Sequence, residues 1–85
     1  MLAIVANNEQ WKNYLYTKKT KMTMDNRFDL LHMSMGNKVT ASDRLFVLSL
    51  LRDRSEMIRM NAINYVEQWT LNSVEVTAVQ QLFTA

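Results

Sequence analysis

The sequence has no cysteine, no proline, one glycine and one histidine. Without cysteine there is no disulfide framework, no thiolate nucleophile and no cysteine-based zinc site. A multi-histidine metal centre would need a second chain. With Gly36 as the sole glycine, a glycine-rich phosphate loop, a dinucleotide fingerprint and a glycine-flanked nucleophile elbow are all excluded. The apolar opening at residues 2–6 has no basic flank and runs into Asn7-Asn8-Glu9 without a small-residue cleavage pattern, and no segment is long enough to cross a bilayer. These absences predict a soluble, cytoplasmic, non-enzymatic chain with no catalytic residue, no metal, no cofactor and no membrane partner. Its function is then set by what it binds.

The chain has 85 residues, 48% of them hydrophobic and 21% charged. That is one domain over 1–85, divided into a basic N-terminal half (1–38) and a helical C-terminal half (40–85). A domain of this size hides only about 60–65% of the surface of its unfolded chain. Its core is thin, and a second copy of the chain would thicken it, so a homo-oligomer is expected.

Net charge is +2, unevenly distributed. All five lysines lie in the first 40 residues, which carry net +3, while residues 41–85 carry net −1. From Trp11 to Arg27 five cations face Asp25 alone. Such a run is either a solvated face that maintains solubility or the mark of an anionic partner.

Periodicity predicts an all-α fold, a small bundle of four to five short helices. Thr40 and Asp43 have capping-box spacing, and Leu45, Leu48 and Leu51 follow with Val47 and Leu50 beside them, giving a helix over 41–52. Ser55 can cap a second helix over 56–69, where Ile58, Ala62, Tyr65, Val66 and Trp69 share one face. Asn72 or Ser73 caps a last helix with Val76, Val79, Leu82 and Phe83 turned inward. Residues 25–35 carry Phe28, Leu31 and Met35 on one face and end at Gly36, which is expected to take the left-handed C-cap conformation. The first 24 residues have two readings. Trp11/Leu15 and Tyr14/Lys18 are spaced for a helix capped by Asn7 or Asn8, whereas Tyr14, Tyr16, Thr17, Thr20 and Thr23 prefer strand and allow a β-hairpin between 2–6 and 12–20, an α+β alternative.

The run from Leu50 to Ala62, with paired leucines before Asp53 and an Ile58-Arg59 pair followed by Ala62, resembles the turn and second-helix start of a HEAT repeat. The resemblance covers residues 42–69 and lacks the proline common in the first helix. It implies structural roles for Asp53 and Arg59 at the turn, and a bias toward macromolecular binding. It does not imply a solenoid, which needs about three or more repeats. In style, with seven Met, eight Asn and no Pro or Cys, the chain is also similar to small accessory proteins of bacteriophages. That similarity implies an antitoxin-like regulator or inhibitor acting by stoichiometric binding.

The candidate nucleic-acid-binding residues are Lys12, Tyr16, Lys18, Lys19, Lys21 and Arg27. Aromatics interleaved with lysines supply cations for phosphates and flat faces for bases. Trp11, Tyr14 and Leu15 share a helix face and are more economically explained as core, which leaves Tyr16 and the lysines as the better contact candidates. Lysine rather than arginine favours backbone neutralisation over base readout. Arg52, Arg54 and Arg59 are candidate protein-interaction residues, with ion pairing inside the turn (Asp53, Glu56) as the competing account. Asp25, Asp29 and His32 form an acid and imidazole cluster, but the two carboxylates also suit a helix N-terminus. Met22, Met24, Met33 and Met35 either fill the core or offer an adaptable apolar surface. The expectation is a phage-type RNA-binding regulator that occupies a host nuclease, toxin or RNA-processing factor, with RNA preferred over duplex DNA. The alternative is a purely protein-binding adaptor using an apolar dimer surface and the helical hairpin.

Overall fold

The chain alternates helices with short turns in the order α1 (Glu9–Thr17), a 3-10 turn (Lys19–Lys21), α2 (Met24–Ser34), α3 (Ala41–Ser49), a 3-10 turn (Leu50–Arg52), α4 (Glu56–Val66) and α5 (Ser73–Phe83). The computed structural model describes residues 9–36 and 38–84, with side chains from Asn13 onward. Among these there are five α-helices and no strand, so the fold is all-α. The hairpin alternative fails where it can be judged, because 9–17 are helical and 19–21 form a 3-10 turn. Residues 2–6, Asn7 and Asn8, and the side chains of Trp11 and Lys12, lie outside the described part.

Capping accounts for where the helices begin. Thr40 and Asp43 form a reciprocal box, the Thr40 hydroxyl accepting from the Asp43 amide and the Asp43 carboxylate accepting from the Thr40 amide. Asn72 and Glu75 repeat the device at α5. Thr23 and Ser55 cap α2 and α4 by side chain alone. Gly36 does not take the left-handed conformation expected of it. α2 ends instead on Met35 in a right-handed backbone state, and the Gly36 amide donates to Met33 O. Glycine still suits the position, since a Cβ would come within 3.2 Å of that same carbonyl.

α3 is the hub, packing on α2, α4 and α5. Leu30 and Leu31 from α2, Phe46 and Val47 from α3, Leu50 from the turn, and Ile58 and Ala62 from α4 form the buried cluster. Leu15, Met22, Phe28, Met35, Leu51, Tyr65, Val66 and Trp69 pack around it. The expected inner faces of α2 and α4 are therefore present.

Two other faces are rotated. On α3, Leu45 sits at the surface while Phe46 is buried. On α5, Val76 and Phe83 are exposed, the latter at 58%. The buried position is Glu75, which reaches Arg44 on α3. Once Glu75 faces inward, the helical period carries Ala78, Val79 and Leu82 with it and turns Val76 and Phe83 away.

Candidate anion-binding cleft

Two residues of the predicted nucleic-acid set belong to the interior. Tyr16 stacks on Phe46 with ring centroids 4.1 Å apart and donates its hydroxyl to the Asp43 carboxylate. Its neighbour Tyr14, expected to share a packed face with Leu15, is the exposed one of the pair. The inward face of α1 is thus set by Leu15 and Tyr16, because Asp43 offers a partner for a phenol. Arg27 is 3% exposed and forms a two-pronged pair with Asp53, Nε to Oδ1 at 2.8 Å and Nη2 to Oδ2 at 3.0 Å. Its Nη1 donates to Met22 O at 2.8 Å. Arg27 therefore leaves the exposed cationic set; a charge count along the sequence cannot see a partner 26 residues away.

Asp53 is the centre of this arrangement. Its Oδ2 also accepts from the Ser55 amide at 2.8 Å, and its carbonyl accepts from Arg59 Nη1 at 2.7 Å. Burial alone pushes the Asp53 carboxyl up. The Arg27 hydrogen bonds, the Ser55 amide and the charges of Arg27 and Lys19 outweigh it and hold the group below its ordinary value. Asp53 and Arg59 thus do order the turn between α3 and α4. The expected ion pairing inside that turn gives way to a pair with α2, and Arg59 is spent on a backbone carbonyl.

Around this floor lies a cleft of about 150 Å³ lined by Lys19, Thr20, Arg27, Arg52, Asp53 and Arg54. One wall is the Lys19–Lys21 turn; the other follows the Leu50–Arg52 turn. Arg52 donates from Nη1 to Leu82 O at 2.9 Å and sits over the Phe83 ring, 5.3 Å from its centroid. Arg54 donates from Nη2 to Met22 O at 3.4 Å. No carboxylate among the described residues pairs with Lys19, Arg52 or Arg54, and the charge of Asp53 is met by Arg27. The cleft therefore carries net +3. Lys18, with its amine 5.5 Å from the Tyr14 ring centroid, and Lys21 stand exposed beside it.

The structure thus joins two groups that the sequence kept apart, the lysines of the N-terminal half and the arginines of the turn. The fold brings them together through Arg27, whose pairing draws the α2 start onto the turn. Only the structural role implied for Asp53 hinted at this. The arrangement can hold an anion, and its volume is well below the roughly 300–1,000 Å³ of a small-molecule pocket.

The acid and imidazole cluster is not assembled. His32 Nδ1 lies 2.7 Å from the Tyr65 hydroxyl, and the ring meets Phe28 edge-on with centroids 4.4 Å apart. Its partners are aromatic side chains on α2 and α4, not Asp25 or Asp29. No group of three or more His, Cys, Asp or Glu among the described residues is placed to hold a metal. No helix among them is long and apolar enough to cross a membrane. Of the four candidate methionines, Met22 and Met35 pack on the core and Met24 is exposed.

No curated protein and no solved structure matches the chain. A family model described as a family of unknown function, DUF5724, matches residues 1–85, and the chain belongs to that family.

Proposed function

We propose that this chain is a non-enzymatic binding protein that engages the backbone of RNA through Lys18, Lys19 and Lys21 together with Arg52 and Arg54. The observation that carries the reading is the cleft, in which Lys19, Arg52 and Arg54 crowd one opening and none forms an ion pair with a carboxylate of its own among the described residues. Holding like charges together in a folded protein costs energy that an anionic ligand relieves. The exposed Lys18 and Lys21 flank Lys19 in sequence and add two cations that a flexible strand can use.

The test is a salt titration of binding to a single-stranded oligoribonucleotide. With four or five phosphates neutralised, log K falls with log salt at a slope of roughly −3 to −3.5. Replacing Lys18, Lys19 and Lys21 by Glu abolishes binding. A salt-independent signal, or binding unchanged in that variant, overturns the reading. Duplex DNA of the same length binds more weakly.

A second reading, a protein-binding adaptor without nucleic acid, draws on α4. Met57, Met60 and Ile63 recur along one side of that helix and are 45%, 57% and 47% exposed. Such an apolar stripe suits a second copy of the chain. Sedimentation of the wild type and of Met60→Glu separates the readings, because a dimer that dissociates in the variant, with no RNA response in either, favours the adaptor.

A further inference from the structure

We propose that the cleft between the Lys19–Lys21 and Leu50–Arg52 turns is a preformed seat for a single phosphate group. The proposal rests on the polyanion-binding reading above and names the chemistry of its anchoring point.

Size comes first. At about 150 Å³ the cleft is well below the roughly 300–1,000 Å³ of a small-molecule pocket, a size that suits a single phosphate group. A strand that binds here would place one of its phosphates in the cleft.

Donor geometry comes second. Met22 O, at the end of the first turn, accepts from both Arg27 Nη1 and Arg54 Nη2, so one carbonyl ties the floor of the cleft to its rim. Arg52 is held in the same way from the other side by Leu82 O and the Phe83 ring. Among the described residues each rim guanidinium has one nitrogen engaged by a carbonyl, which leaves N–H donors of the fork to meet phosphate oxygens. Lys19, with Thr20 beside it, adds a cation from the facing wall. Arg27 has both prongs on Asp53 and its third nitrogen on Met22 O, so it fixes the floor and contributes charge, not the principal hydrogen bonds.

Charge comes third. The Asp53 carboxylate would repel a phosphate, but both its oxygens are engaged, by Arg27 and by the Ser55 amide. What an entering anion meets is the excess of Lys19, Arg52 and Arg54. The phosphate can belong to the interior of a strand or to its 5′ end; the chemistry of the seat is the same.

The probe is inorganic phosphate, titrated into isotopically labelled protein at constant ionic strength with sodium chloride as the counter-titration. The guanidinium Nε–H resonances of Arg52 and Arg54 are expected to shift saturably with phosphate and not with chloride. A response indistinguishable from that of chloride, or one centred on Lys18 and Lys21, overturns the proposal. A double variant, Arg52→Gln with Arg54→Gln, loses the phosphate response and weakens oligoribonucleotide binding at least tenfold. Lys18→Gln with Lys21→Gln retains the phosphate response and loses only part of the salt slope. Should RNA bind while phosphate leaves Arg52 and Arg54 untouched, the seat is refuted and the RNA reading stands. Should phosphate seat there while RNA does not bind, the seat stands and the RNA reading falls. Oligonucleotides with a 5′ phosphate or a 5′ hydroxyl distinguish the sources. Preference for the former, lost in the arginine double variant, assigns a strand end, and equal affinity assigns an internal phosphate.

Discussion

The molecule contains two arginine forks built on one plan. In each, Nε and Nη2 of an arginine grip the two oxygens of a carboxylate, Arg27 on Asp53 and Arg44 on Glu75. In each, the carboxylate also accepts a backbone amide at the start of a helix, from Ser55 and from Asn72. The surroundings differ. The Arg44 fork is closed by the Trp69 ring, 4.4 Å from the guanidinium, and by Thr70 O. In the Arg27 fork the arginine is the more buried of the two, 3% exposed against 29%, and Lys19, Arg52 and Arg54 line the same cleft. A buried fork by itself is therefore a packing device that joins helices. The uncompensated cations above one of the two forks are what distinguish the cleft proposed as a binding site.

The largest expected effect separates the forks by burial. Arg27→Met leaves the Asp53 carboxylate, 6% exposed in the fold, without its partner. Breaking a buried pair from one side costs about 3–5 kcal/mol, a large share of a stability on the order of 5–15 kcal/mol. The second fork leaves an equally buried carboxylate, Glu75 at 3%, but its arginine is 29% exposed, so water can reach the position that Arg44 vacates; Arg44→Met costs about 1.5–3 kcal/mol, the range for hydrogen bonds to a charged group. Urea denaturation of both variants checks the order. Replacing both members, Arg27→Met with Asp53→Leu, recovers part of the loss. Equal costs for the two single variants would break the comparison.

Acid should strip both forks. In Asp53 burial opposes ionisation but is outweighed by Arg27, the Ser55 amide and Lys19; in Glu75 the Arg44 hydrogen bonds dominate over burial, aided by the Asn72 amide. Both carboxyls are held below their ordinary values of 3.8 and 4.5. A group depressed in the fold stabilises it fully above its unfolded value and loses that contribution as pH falls through its folded value. Stability is therefore flat from neutral pH to about 5 and declines below about 4.5. In Arg44→Met the contribution of Glu75 to that decline shrinks, while the part due to Asp53 remains.

A smaller effect distinguishes the helix starts behind the forks. Asn72 Oδ1 accepts from the Glu75 amide at 2.9 Å and the Glu75 carboxylate accepts from the Asn72 amide in return, whereas Ser55 Oγ meets the Ile58 amide only at 3.5 Å, with no reciprocal bond among the described residues. Asn72→Ala should cost about 1 kcal/mol and Ser55→Ala about 0.5 kcal/mol by thermal denaturation.

How much of this was legible depends on the range of the interaction. Caps, spacings and the inner face of α4 are local, so Thr40/Asp43 and Ile58/Ala62/Tyr65 could be read directly. The N-terminal helix was ambiguous because Tyr16 and its neighbouring threonines prefer strand, and the deciding contact, Tyr16 to Asp43, spans 27 residues. The face of α5 was misread because hydrophobicity alone places Val76 inward, while a buried Glu75 paired with Arg44 rotates the helix. The cleft was half legible. Its cations stood out as a basic run and an arginine-rich turn, but their meeting depends on Arg27 and Asp53, which a count of charges treats as surface.

The smallest expected change in stability completes the comparison, because it tests whether the rim above the Arg27 fork serves packing at all. Arg54 is exposed, and its one hydrogen bond among the described residues is the 3.4 Å contact with Met22 O. Surface substitutions of that kind stay within about 0.5 kcal/mol. Arg52 has more to lose, since it holds Leu82 O and covers Phe83 at the end of α5, where an exposed cation–π contact contributes about 0.5–1 kcal/mol. Arg54→Gln should therefore leave the urea midpoint unmoved, and Arg52→Gln should lower it slightly by loosening α5. If either change approached the cost of Arg27→Met, the rim arginines would be part of the packing that joins the turn to α2. If Arg54→Gln instead raised stability, that gain would measure the repulsion among the three cations, the same energy an anionic ligand relieves on entering the cleft.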